Sequence, residues 1–85
     1  MIGMFAISKA GHDKNQWYII LDETEEYVYL VDGIFKTLEK PKKKSKKHIQ
    51  IVRKVENYEI AEKLKNKMPI QNEEIKRAIK VITEK

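Results

Sequence analysis

Apolar residues in the first part of the chain recur at every second position, and in the last part at every third and fourth. Met4-Phe5-Ala6-Ile7-Ser8 sets Phe5 and Ile7, with Met4, in alternation with small or polar residues, the period of a strand. Lys9-Ala10-Gly11-His12-Asp13-Lys14-Asn15 then has the glycine and Asx chemistry of a turn. Gln16–Leu21, rich in aromatic and β-branched residues, predicts a second strand, and Asp22-Glu23-Thr24-Glu25 a charged turn. Tyr27–Val31 predicts a third strand, and Asp32-Gly33 a tight turn into Ile34-Phe35-Lys36. His48-Ile49-Gln50-Ile51-Val52 alternates again and predicts a last strand. Short strands separated by brief turns imply a small curled sheet or barrel.

The period changes after Val55. Ile60, Ala61 and Leu64 fall at helical spacing in Tyr58–Lys67, with Asn57 placed to cap the start and Pro69 just beyond the end. A second helix follows Gln71-Asn72, with Ile75, Ala78, Ile79 and Ile82 on one face. Glu73 and Glu74 open it and Lys80 and Lys85 lie later, in agreement with the helix dipole. The chain is therefore expected to be mainly β with a C-terminal helical hairpin: residues 1–54 a small barrel with a basic loop over 36–48, residues 55–85 a two-helix extension. That extension is either packed on the barrel or presented to a partner.

Composition narrows the function classes. At 85 residues the chain is one small domain that buries only about two-thirds of its unfolded surface. It has no cysteine, which removes disulfides, thiolate metal sites and cysteine nucleophiles. Met1–Phe5 lacks the leader of a signal peptide, and the longest apolar runs fall far short of the roughly 20 residues that span a bilayer. A soluble, cytoplasmic, monomeric protein is expected. The net charge of +5 is very unevenly spread: residues 1–35 carry −4, residues 36–54 carry +8 and residues 55–85 carry +1. Such clustering points to a polyanion-binding surface more firmly than a high pI does.

The segment from Gly3 to Lys14, an alternating strand that turns at Gly11 within a polar loop, resembles a KOW motif. Tyr27–Gly33, then Lys36, Lys40-Pro41-Lys42-Lys43-Lys44 and Lys47-His48, extend the likeness to small bacterial KOW-domain proteins. These are relatives of the large-subunit ribosomal proteins of the archaeal and eukaryotic fourteenth type. The resemblance covers roughly residues 3–52. Relatives often place a further glycine just after Asp13-Lys14, where this chain has Asn15, a residue that tolerates the left-handed conformation. The resemblance implies an SH3-like barrel of the KOW type, RNA or ribosome binding, and no catalysis.

Two basic segments are candidate contacts. Lys40, Lys42, Lys43, Lys44, Lys46, Lys47 and His48 form a run in which like charges repel, so an extended, solvated loop is expected, stiffened by Pro41; Lys36 precedes it. On composition alone the run is as consistent with a merely solvated loop as with a phosphate site. Lysine supplies point charge without the bidentate fork of arginine, so such a site reads backbone and shape. The turn bearing Lys9, Gly11, His12 and Lys14 is the second candidate, Gly11 permitting close approach; by chemistry alone an ordinary turn is the favoured reading, and the resemblance reverses that. Asp13 is expected to brace that loop through its own backbone. Phe5 and Phe35 are expected in the core, and Trp17, Tyr18, Tyr27 and Tyr29 are expected to pack in preference to stacking on bases.

Inventory argues against an enzyme. His12 and His48 stand far apart, Ser8 and Ser45 lack a nucleophile context, and Glu23, Glu25 and Glu26 lack a coordination loop. No metal and no cofactor is expected. The expected partner is RNA, in particular rRNA of the large subunit, with ribosomal proteins met through the helices. A protein–protein adaptor using the barrel and helices is the alternative. Binding to an anionic membrane is disfavoured, since the basic run lacks interleaved apolar anchors.

Overall fold

The computed structural model describes residues 1–53 and 57–84. The expected boundary at 54/55, and the expected dipole role of Lys85, lie outside the described residues. Five strands, β1 (Phe5–Ser8), β2 (Trp17–Glu23), β3 (Tyr27–Val31), β4 (Lys42–Ser45) and β5 (Ile49–Val52), are followed by helices α1 (Tyr58–Lys65) and α2 (Asn72–Thr83). All pairings are antiparallel, in the order β4-β3-β2-β1-β5.

The connection between β4 and β5 dictates the curvature of this sheet. Its two edges are β4 and β5, which in a flat five-stranded sheet would stand about 19 Å apart, four strand spacings. A single 3-10 turn, Lys46–His48, joins them. Even fully extended, the step from Ser45 to Ile49 spans at most about 14 Å. The sheet must therefore curl until its edges approach. A bulge in β2 between Ile20 and Asp22 adds local twist to the same end. No ladder joins β4 to β5 among the described residues, so the sheet is curled but not closed.

Curling divides the core into two. Ala6, Tyr18, Ile20, Val28 and Leu30 fill the inside of the curl, with Met1, Ile49 and Ile51 at its margin. Phe5, Ile19 and Val31 point the other way and meet Ile60, Ile75 and Ala78 of the helices. Trp17 packs here edge-on to Phe5, ring centroids 6.3 Å apart. The apolar faces of both helices are thus spent on the sheet. Gly3 and Gly33 make that docking possible: a β-carbon at Gly3 would strike Ala61 of α1, and one at Gly33 would strike the backbone of Asn72 and Lys76 in α2. Asn57 caps α1, its Oδ1 accepting from Ile60 N–H at 3.1 Å, and Glu74 closes a capping box on Gln71 N–H at 2.9 Å.

Two expectations need correcting. The basic segment 36–48 is not one loop, because its centre is strand β4. Phe35 is not core but 82% exposed. The cause lies in Asp32, whose Oδ1 accepts the N–H groups of Ile34, Phe35 and Lys36 at 2.9, 3.0 and 2.8 Å. This closes a loop that faces Ile34 and Phe35 to solvent, forgoing roughly 2 kcal/mol of burial at Phe35.

Candidate nucleic-acid interface

Strand register decides which lysines are available. Lys42 pairs with Leu30 and Lys44 with Val28, so both start on the face that lines the inside of the curl. Lys43 and Ser45, opposite Tyr29 and Tyr27, start on the other. The two inward lysines reach across the unclosed gap to the β1–β2 loop. Lys44 Nζ lies 2.8 Å from Asp13 Oδ1 and 2.8 Å from the Ala10 carbonyl, with Lys42 Nζ 3.5 Å from Asp13 Oδ2. Asp13 also receives Tyr18 OH at 2.8 Å, and Ser8 Oγ lies 2.9 Å away. Asp13 therefore does brace its loop, but through four side chains from β1, β2 and β4 rather than through its own backbone.

The electrostatics follow from this enclosure. Burial alone would push the Asp13 carboxyl up, but hydrogen bonds from Lys44, Tyr18 and Ser8, with the Lys44 charge, hold it well below the usual carboxylate range. Burial and the neighbouring Asp13 carboxylate push the Tyr18 phenol up, above the ordinary tyrosine value. Asp13 is thus a fixed anion at neutral pH and Tyr18 a fixed donor.

Lys46 is held elsewhere. Its Nζ lies 3.0 Å from Glu23 Oε2, whose other oxygen takes the Met1 amino group at 2.8 Å. Both cations hold the Glu23 carboxyl below its usual range. Of the acidic turn, Glu23 is already neutralised by the protein's own charges.

The remaining cations face outward. Lys9, His12 and Lys14 are exposed on the β1–β2 loop, together with Gly11 at its left-handed φ of +86° and Asn15 at +73°. Lys47 and His48 are exposed on the 3-10 turn, directly beside them: Lys9 N–H donates to the His48 carbonyl at 2.8 Å. Lys43 is exposed and its Nζ lies over the Tyr27 ring, 4.3 Å from the centroid. Lys9, Lys14, Lys43 and Lys47 have no carboxylate within 4.0 Å among the described residues. The two basic segments are therefore one surface, welded by the Asp13–Lys44 pair. Lys36 and Lys40 stand apart in the β3–β4 connection, which docks on α2: Leu38 N–H donates to Asn72 Oδ1 at 2.8 Å and Asn72 Nδ2 to Glu39 Oε1 at 2.9 Å.

The weld was the feature sequence reasoning missed. Its faint signal was a lone carboxylate, Asp13, between Lys9 and Lys14 in a glycine turn, five residues from the buried Ser8 on one side and the buried Tyr18 on the other. No helix among the described residues is long and apolar enough to cross a membrane. No protein-family model and no curated protein matches the chain.

Proposed function

We propose that this chain is a non-catalytic RNA-binding protein of the cytoplasm, associated with ribosomal RNA of the large subunit. In this reading the curled sheet is an SH3-like barrel of the KOW type. Its strand order and the 3-10 turn between the two edge strands support that reading. The observation that carries the function is the shared cationic surface of Lys9, His12, Lys14, Lys47 and His48, on the exposed left-handed glycine turn and the 3-10 turn beside it, with Lys43 exposed on β4. Lysines without internal partners, on a backbone pinned by Asp13, suit phosphates presented by structured RNA. Pinning also lowers the ordering cost of binding. The adaptor alternative loses the helix residues Ile60, Ala61, Ile75 and Ala78, which are buried, and keeps Tyr58 and Val81 exposed along a cleft between the helices.

A salt series tests the proposal. With Lys9, Lys14, Lys43 and Lys47 each meeting a phosphate, the log–log slope of rRNA affinity against salt should be about −3 to −4. Changing Lys9, Lys14 and Lys47 together to Gln should shallow it by roughly 2 to 3. Co-sedimentation with the large ribosomal subunit at moderate salt is the companion measurement. Sedimentation with neither subunit, together with a flat salt response, would reject RNA binding in favour of the adaptor.

A further inference from the structure

A second surface adjoins the far end of the β1–β2 loop. The Asp32–Lys36 loop, the end of the β1–β2 loop and one side of α2 enclose a cleft of about 410 Å3. Trp17 and Ile34 supply apolar wall, Asn15 and Gln16 supply amide groups, and Lys76 and Lys80 stand along α2. Among the described residues the one carboxylate of the cleft is Asp32, whose Oδ1 is occupied by three backbone N–H groups. Next to Ile34 stands Phe35, the most exposed of the large apolar side chains among the described residues.

These features belong to one rigid piece. Asp32 N–H donates to the Lys36 carbonyl at 2.8 Å, which shuts the loop, and Gly33 rests against the backbone of Asn72 and Lys76. Phe35 is thus presented on an ordered loop. An exposed ring one residue from the wall of a cleft that carries two lysines and two amides is complementary to an unpaired nucleotide: the ring stacks on a base, ammonium groups meet the phosphates, and amides meet base edges. An acidic protein segment would meet the same two lysines, and the substitution series below separates it from a nucleotide.

We infer that this cleft and Phe35 form a second RNA contact, which takes an unpaired nucleotide of a single-stranded segment. The inference rests on the RNA reading above and adds a stacking site to a surface that otherwise reads backbone charge. Lys76 and Lys80 serve the phosphates, Phe35 serves the base, and Asn15 and Gln16 give the site its modest preference among bases.

The test compares a short single-stranded RNA of mixed sequence with a blunt RNA duplex, using the full chain. Phe35→Ala should weaken single-strand binding roughly 5- to 100-fold. Its salt slope should stay unchanged, because the ring neutralises no phosphate. Duplex binding should be unaffected. Phe35→Leu, which keeps the apolar bulk, should fail like the alanine variant, whereas Phe35→Trp should retain binding. Lys76→Gln with Lys80→Gln should shallow the single-strand slope by roughly 1 to 1.5. Unaltered single-strand affinity in Phe35→Ala, with duplex binding intact, overturns the stacking site and leaves the broader reading standing. Full single-strand binding by Phe35→Leu overturns stacking, because apolar bulk alone would then suffice. Failure of the unaltered protein to bind either RNA removes both.

Discussion

Lys44 and Lys47 belong to the same basic run and have opposite fates. Lys44 lies inside the curl, one-tenth exposed, with its ammonium group shared between Asp13 and the Ala10 carbonyl. Lys47 stands on the 3-10 turn in open solvent, without a carboxylate partner among the described residues. Alternation along an edge strand sorts them, followed by a turn that rotates the chain outward. A run of like charges is therefore two populations, one that holds the fold and one that is free for a ligand. Counting lysines overstates the second.

The sharpest way to break this division is to remove the clamp. Asp13→Ala should cost about 2–3 kcal/mol of stability, because it strands the Lys44 ammonium and leaves Tyr18 and Ser8 without their acceptor. Urea unfolding measures this, and a loss under about 0.5 kcal/mol would place Asp13 among ordinary surface residues. Acid should attack the same point. Asp13 is depressed below its unfolded value of about 4, so its contribution is complete above that pH and declines as pH falls further toward the folded-state value. The urea midpoint of the natural protein should drop across that acid range, and Asp13→Asn should start lower and show a flatter acid limb. The smallest effects should separate neighbours on the turn. Lys46→Gln should cost less than about 1 kcal/mol, and high salt should shrink the difference, since its pair with Glu23 is partly exposed. Lys47→Gln should leave stability within about 0.5 kcal/mol while still shallowing the RNA salt slope by about 0.7–0.9.

Much of the scaffold was legible in the sequence because periodicity is a local signal. Tyr27–Val31 has the predicted bounds, and the apolar stripe Ile75, Ala78, Ile79, Ile82 faces the core as its spacing required. What stayed hidden depends on partners far along the chain. A strand made of Lys42, Lys43, Lys44 and Ser45 has no apolar face to betray it; it forms because Val28 and Leu30 offer a ladder and Asp13, 31 positions from Lys44, offers a countercharge. Phe35 misled in the opposite way. Aromatic residues usually seek the core, but Asp32 Oδ1 spends itself on three consecutive N–H groups and turns that side chain outward. At the candidate site, residue types were readable and their division of labour was not. Lys42, Lys44 and Lys46 look identical to Lys43 and Lys47 until register assigns each a direction.

Strand β4 is also the outer rim of the sheet, where unpaired backbone groups invite another chain to add a strand. A second copy attempting that addition antiparallel would lay its own lysine-rich strand against Lys42–Ser45, cation to cation. Lysine on such a rim is a common guard against aggregation. With Lys42 and Lys44 paired to Asp13, Lys43 is the strand's unpaired cation among the described residues, and a polyanion that neutralised it would lift that guard.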